Sequence, residues 1–96
     1  MKAALGARPR DSLLIIRDIL STASKEASKT EIVYRSNINF MTAERYLSRL
    51  LLRGLVETVR SRDGRTRFRT TTLGAEVLQR LSEVERIIGE TSPVAT

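Results

Sequence analysis

The sequence has no cysteine, no histidine and no tryptophan among its 96 residues. Without cysteine there is no disulfide framework, no thiolate nucleophile and no zinc–sulfur site. Without histidine the chain lacks the most common general base and the most common metal ligand. It also has no glycine-rich loop of the kind that cradles phosphates. We therefore expect a protein that is not an enzyme and that takes no metal, cofactor or small-molecule substrate.

Long apolar runs are also missing. None approaches the ~20 residues of a membrane span, and the first ten residues are too weakly apolar for a signal peptide. A chain of 96 residues is long enough for one small domain. We expect that domain to reside in a reducing compartment, the cytoplasm.

Arginine is abundant. The chain has 14 arginines and three lysines against 11 acidic residues, which makes the net charge +6. Residues 1–72 carry a net charge of +8, and residues 73–96 carry −2. This distribution suggests a polyanionic partner for the basic part of the chain. The alternative is charge that serves solubility alone.

Capping signals and apolar periodicity predict four helices. Ser28 and Glu31 have the spacing of a capping box, and Asn39 and Thr71 are candidate N-caps. Gly74, in the first turn of the last helix, is expected to cost little. The predicted helices run from Asp11 to about Ala23, from Ser28 to just before Asn37, from Phe40 to about Arg53, and from Thr72 to about Gly89.

The first and third helices show the expected division into core and outward faces. The predicted core residues of the first helix are Leu13, Ile16, Ile19, Leu20 and Ala23. Those of the third helix are Phe40, Ala43, Leu47, Leu50 and Leu51. The predicted outward face of the third helix is Thr42, Arg45, Tyr46, Arg49 and Arg53.

A β-hairpin is predicted between the third and fourth helices, with strands at Leu55–Ser61 and Thr66–Thr71. If Asp63-Gly64 is a two-residue loop, Arg62 faces Arg65, Arg60 faces Arg67 and Thr58 faces Arg69. All five arginines then share one side, and the core side carries Leu55, Val59, Phe68 and Thr70. Facing like charges destabilise a hairpin, so phosphates are expected to neutralise this surface. The alternative is an ordinary solvated sheet face.

This order of elements predicts a mainly helical α+β fold, the winged helix-turn-helix. A short extended piece near Lys25–Ala27 could add a third strand. In such a fold the second helix of the motif, here the third helix, lies in the major groove of DNA. The chain is therefore expected to bind double-stranded DNA and to be nucleoid-associated.

Individual roles on DNA follow from position. Thr42 and Arg45 are the candidates for base contact, with Arg49 possible. Arg53 would meet phosphate or the C-terminus of its own helix, and Tyr46 is placed either on DNA or at the edge of the core. Phosphate contacts are also expected from Lys29 and Thr30 in the second helix, unless that first turn is only solvated, and from the five hairpin arginines. A loose basic arm contains Lys2, Arg8 and Arg10.

These residues also carry a resemblance. The stretch from Lys29 to Phe40, Tyr46-Leu47, the run from Leu51 through Gly54 to Val56, and Thr71 to Gly74 look like the archaeal winged-helix regulators, above all the small basic chromatin-associated proteins. The resemblance covers about residues 12–88. It implies a homodimer joined through an antiparallel coiled coil of the last helix. It also implies that DNA is bound by the third helix and by the wing, which is the β-hairpin.

The last helix gives its own indication of a dimer, because its apolar stripe continues past the length that one domain can cover. About two and a half heptads are present, fewer than a clear coiled coil shows. Alternatively, the end of the helix folds back on Leu14. The predicted interface residues are Val77, Leu81, Val84, Ile87 and Ile88. The predicted organisation is a flexible arm at 1–10, the winged helix at 11–72, the dimerisation helix at 73–90 and a flexible tail at 91–96.

Two other binding functions remain open. A winged helix can serve as a protein-interaction subunit, in which case an acidic protein would fill the arginine face. RNA binding is less favoured, because the hairpin lacks exposed aromatic residues on which bases stack. Both phenylalanines are assigned to core faces.

Overall fold

The computed structural model of the protein describes residues 12–89. Its elements are α1 (Ser12–Ala23), α2 (Lys29–Ser36), α3 (Phe40–Leu52), β1 (Val56–Arg60), β2 (Thr66–Thr70) and α4 (Thr72–Ile88). The predicted winged helix-turn-helix is confirmed. The Asp11 cap, the N-terminal arm and the C-terminal tail lie outside the described residues. Within residues 12–89, no helix is both long and apolar enough to cross a membrane.

The predicted caps are present. Ser28 Oγ accepts a hydrogen bond from the Glu31 N–H at 3.1 Å, and the Glu31 carboxylate accepts one from the Ser28 N–H at 2.9 Å. The Asn39 side chain accepts from the Thr42 N–H at 2.8 Å and so begins α3. Because these bonds satisfy donors that a helix leaves unpaired, each helix begins where its local sequence directs.

The core forms where α1, α2 and α3 meet the hairpin. Its buried residues are Ile15, Ile19, Leu20, Ala27, Ile32, Tyr46, Leu47, Leu50, Val56 and Phe68.

Two predicted core residues are in fact exposed. Leu13 is half-exposed, and Ile15 takes its place as the buried partner of Ile19, one turn away. Phe40 is also half-exposed. It is the first residue of α3, and because helical side chains tilt toward the N-terminus, its ring extends past the end of the packed region.

The predicted hairpin register is wrong by one residue. Thr58, not Val59, lies opposite Phe68, and Val59 lies opposite Arg67. The Ser61 N–H donates to the Arg65 carbonyl, and the Gly64 N–H donates to the Ser61 carbonyl, both at 2.9 Å. The loop is therefore residues 62–64, with Gly64 in the left-handed region at φ 84°. A three-residue loop of this type shifts every cross-strand pair.

The correct register divides the five hairpin arginines. Arg67 and Arg69 share a face with Glu57 and Val59. Arg60 lies on the other face, opposite Thr66. Arg62 lies in the loop, and Arg65 pairs with Ser61 where the loop begins. The hairpin therefore has no continuous surface of five arginines.

The predicted third strand is reduced to one bridge. Ala27 and Phe68 exchange two backbone hydrogen bonds, of 2.9 and 2.8 Å. Glu26, just before it, has a positive φ of 67°. This bridge fixes the turn between α1 and α2 against β2.

The base of the wing is tied to the start of α4. The Thr71 N–H donates to the Leu55 carbonyl at 3.0 Å, and the Thr71 hydroxyl donates to the Gly54 carbonyl at 2.6 Å. Gly74 is buried against the same peptide, and a Cβ there would lie 2.0 Å from the Leu55 oxygen. Glycine at this position therefore has a packing role that the sequence did not indicate, because only a residue without a Cβ permits this approach.

Candidate nucleic-acid interface

The outward side of α3 is centred on a different line from the predicted one. Ala43, Tyr46, Leu47 and Leu50 are buried, so the residues opposite them face solvent. At 100° per residue, that opposite line is Met41, Arg45, Ser48 and Leu52. Arg45 is exposed as predicted, whereas Thr42 is only half-exposed.

Tyr46 belongs to the core. It is 9% exposed, and its hydroxyl donates a hydrogen bond to Ser12 Oγ at 3.0 Å. The packing role is therefore the one that the structure supports, and Tyr46 has no free face for DNA. The guanidinium of Arg49 lies 5.3 Å from the centre of the ring, a cation–π contact that helps to orient this exposed arginine. Arg53 is exposed at the C-cap of α3.

Acidic side chains of this chain neutralise the arginine face of the wing. Arg67 lies 3.3 Å from the Glu31 carboxylate and 3.5 Å from that of Glu26, and it donates to the Glu26 carbonyl. Arg69 lies 3.0 Å from Glu57 and 3.7 Å from Glu26. The expectation that phosphates are needed to neutralise these arginines is therefore wrong.

The tip of the wing carries the other three arginines. Arg60, Arg62 and Arg65 are exposed. Arg60 donates to the Gly64 carbonyl at 3.3 Å, and Arg65 lies 3.6 Å from the Asp63 carboxylate. The Ser61 hydroxyl and the Arg65 backbone N–H donate to the Asp63 carboxylate. Those hydrogen bonds lower the pKa of Asp63 below its usual value. Asp63 therefore stays ionised and organises the loop that presents the arginines.

Lys29 joins two helices. Its ammonium lies 2.7 Å from the carboxylate of Glu44 on α3. The hydrogen bond from Lys29 lowers the pKa of Glu44. Lys29 is thus already paired within the helix-turn-helix, while its neighbour Thr30 is exposed in the first turn of α2.

The end of α4 is apolar and uncovered. Val77 and Leu78 pack against the core, and Leu81 is half-buried. Val84, Ile87 and Ile88 are 49%, 74% and 63% exposed. Arg17 on α1 lies 3.3 Å from Glu85 and holds α4 against α1, yet this contact leaves the isoleucines in solvent. The alternative in which the helix end folds back on Leu14 is therefore not supported.

Comparison with known proteins agrees with this geometry. The winged helix-turn-helix family profile matches residues 9–89. An uncharacterised protein of Methanocaldococcus jannaschii, MJ0290, is 34% identical over 88 residues, which are 91% of this chain and 39% of that protein. The chain thus spans about two fifths of that relative.

Solved structures share the fold. Sso10a-2, a DNA-binding protein from Sulfolobus solfataricus, superposes with a TM-score of 0.75 at 24% identity, over 85% of each chain. The transcriptional regulator BldR from the same organism gives 0.74 at 21% identity, over 88% of this chain and 63% of that one. The PcaV regulator from Streptomyces coelicolor gives 0.69 at 25% identity, over 84% and 64%.

Proposed function

Because the chain belongs to the winged helix-turn-helix family, we propose that it is a dimeric DNA-binding protein that acts as a transcriptional regulator or a chromatin-associated protein. The observation that carries this proposal is the outward side of α3, where exposed Arg45 and Arg49 stand opposite the buried core side of the helix. In helix-turn-helix proteins this helix lies in the major groove with its N-terminal residues nearest the bases. Arg45 lies about one and a half turns from that end and can bind guanine O6 and N7.

The wing supplies sequence-independent affinity in this proposal. Arg60, Arg62 and Arg65 surround a loop that Asp63 organises, and their exposed side chains suit phosphates or the minor groove. Arg67 and Arg69 are assigned a different role, since each pairs with two glutamates and their side chains are 32% and 48% exposed, against 83% for Arg65. The protein-interaction alternative would place an acidic partner on the same exposed arginines, Arg60, Arg62 and Arg65.

A dimer would bury the uncovered end of α4. Ile87 and Ile88 continue the apolar side of the helix beyond its contact with α1. Twofold contacts are the commonest way in which a soluble protein covers such a surface with a second copy of itself. We propose that two copies pair through α4.

The experiment is fluorescence anisotropy of a labelled 20-base-pair duplex of random sequence, titrated with protein at several salt concentrations. We expect affinity to fall steeply with salt, since each phosphate contact contributes about 0.9 to the slope of log K against log salt. Arg45→Ala should weaken binding, whereas Arg80→Ala on α4 serves as the matched arginine control. Undetectable binding at low salt would refute the proposal.

A further inference from the structure

The side chain of Met41 is the most N-terminal on the outward line of α3, and it is 72% exposed. Arg45 follows one turn later and Ser48 the next, both exposed. Phe40 is also half-exposed, but it lies about 100° round the helix, on the same side as Leu47 and Leu51. Met41 therefore has neither a place in the core nor a polar group for water.

The residues around Met41 indicate which chemical group its side chain contacts. Arg45 and Arg49 make the same side of the helix cationic, which fits the polyanionic surface of DNA. Among the groups that base pairs present in the major groove, the 5-methyl of thymine is the apolar one. A flexible, polarisable methionine can adapt to that methyl group.

The spacing limits where the two bases can lie. Met41 and Arg45 are four residues apart, about 6 Å along the helix axis. Successive bases of one strand are about 3.4 Å apart. A helix along the groove would therefore place the two side chains within about two base-pair steps of each other.

We propose that Met41 determines specificity by contacting the 5-methyl group of a thymine, within two base-pair steps of a guanine that Arg45 binds. This inference rests on the proposed DNA-binding function and adds a preferred base to it. It predicts a preference for thymine close to the guanine that Arg45 binds.

The test begins with selection from a library of random 20-base-pair duplexes. In the enriched duplex, each thymine is replaced singly by deoxyuridine, which removes only the methyl group. For the wild-type protein we expect one replacement to weaken binding about three- to fourfold, as for the loss of one buried methyl. For Met41→Ala the same replacement should change binding by less than about 1.5-fold, on the same scale.

Leu52→Ala is the matched control. Leu52 is an apolar residue of the same outward line, 84% exposed, at the far end of α3. Because both side chains are exposed, neither substitution is expected to unfold the protein, and thermal unfolding of each variant checks this. The Leu52→Ala protein should keep the full effect of deoxyuridine.

The outcomes test the role of Met41 separately from DNA binding. A deoxyuridine effect that persists in Met41→Ala, or that is absent from the wild type, overturns the role of Met41 and leaves DNA binding intact. Binding without any enriched sequence also overturns it. Undetectable binding to every duplex at low salt removes the proposed function itself.

Discussion

The carboxylate of Glu57 lies 3.0 Å from the guanidinium of Arg69, directly across the hairpin. Facing opposite charges stabilise a strand pair by roughly 0.2–1 kcal/mol. With Glu26 and Glu31 beside Arg67, this pair makes the arginine face of the wing a set of internal ion pairs. The charges of Arg67 and Arg69 are therefore neutralised within the chain before any DNA binds.

Removing the charge of Glu57 should release Arg69 for phosphate. We expect Glu57→Gln to tighten binding to a random duplex at low salt and to steepen the salt dependence by about 0.9, the contribution of one added phosphate contact. Anisotropy titrations measure both effects. Glu76→Gln, which breaks the Glu76–Arg80 pair on α4, is the control. An unchanged slope for Glu57→Gln would place Arg69 away from the DNA.

The two groups of wing arginines should separate affinity from stability. Replacing Arg60, Arg62 and Arg65 together with serine should lower the salt slope by about 0.9 for each lost phosphate contact, with little change in Tm. Arg67→Ser should lower the Tm instead, because it removes the ion pairs that join β2 to Glu26 and Glu31. Thermal unfolding and anisotropy on the same samples distinguish the two. A triple variant with unaltered DNA affinity would contradict the role of the wing tip.

Acid should weaken the fold partly through Glu31. The hydrogen bond from the Ser28 N–H, aided by the charge of Arg67, lowers the pKa of Glu31 below 4.5. The ionised form is thus favoured in the folded state, and its contribution is present above pH 4.5 and lost as pH falls through the lowered pKa. Urea unfolding of Glu31→Gln should therefore show a smaller loss of stability between pH 7 and acid than the wild type.

Glutamine at position 31 can still accept the capping hydrogen bond, so the variant removes charge while keeping the cap. Glu83→Gln, at an exposed site on α4, is the control and should retain the wild-type loss. Equal losses for the wild type and Glu31→Gln would show that Glu31 contributes nothing to the acid sensitivity.

Gly74→Ala should destabilise the protein, against the usual rule for helices. Alanine normally stabilises a helix by up to about 1 kcal/mol relative to glycine. At this position the added methyl would meet the Leu55 carbonyl, and forcing atoms into a packed site costs about 1–3 kcal/mol. Chemical denaturation gives the sign. Ala75→Gly, at the exposed neighbouring position, is the control. It should lose only the stability by which alanine exceeds glycine in a helix.

A charge at the end of α4 should separate the proposed dimer. Ile87→Lys would place an ammonium in the apolar surface that includes Ile88 and Val84, and a paired interface cannot solvate it. Light scattering at several protein concentrations should show the mass of a dimer for the wild type and of a monomer for the variant. Gln79→Lys, at an exposed position earlier on α4, should stay dimeric. A wild type that is monomeric at all concentrations would disprove the pairing.

Features that depend on a few neighbouring residues were predictable from the sequence. The caps at Ser28, Asn39 and Thr71 each use a side chain that bonds a backbone group three residues ahead. Such bonds join residues that are neighbours in the sequence and can be recognised from it. The order of the elements, and with it the fold, follows from these signals.

Features that join distant parts of the chain were not predictable in the same way. Ser61 and Arg65 close the hairpin one residue earlier than Asp63-Gly64 suggested, and this single step moved Arg60 to the other face. The acidic partners of Arg67 come from the turn before α2 and from α2 itself. Only the folded chain brings them together.

The outward line of α3 was only partly predictable from the sequence. Periodicity correctly assigned Ala43, Leu47 and Leu50 to the core, but treating Tyr46 as polar rotated the predicted outward face away from Met41. An amphipathic tyrosine can bury its ring and still satisfy its hydroxyl, as the bond to Ser12 shows. Counting Tyr46 with the apolar residues would have pointed to Met41 and Ser48.

The backbone contacts of Thr71 and Gly74 with residues 54 and 55 leave no linker between the wing and α4. The helix proposed to join two copies therefore starts at a fixed angle from the helix proposed to read DNA. In a pair formed along the 17 residues of α4, the separation of the two half-sites would be set by the backbone itself. Such a pair would bind half-sites at one fixed spacing. Inserting one base pair between the half-sites would put the second α3 out of phase with its groove.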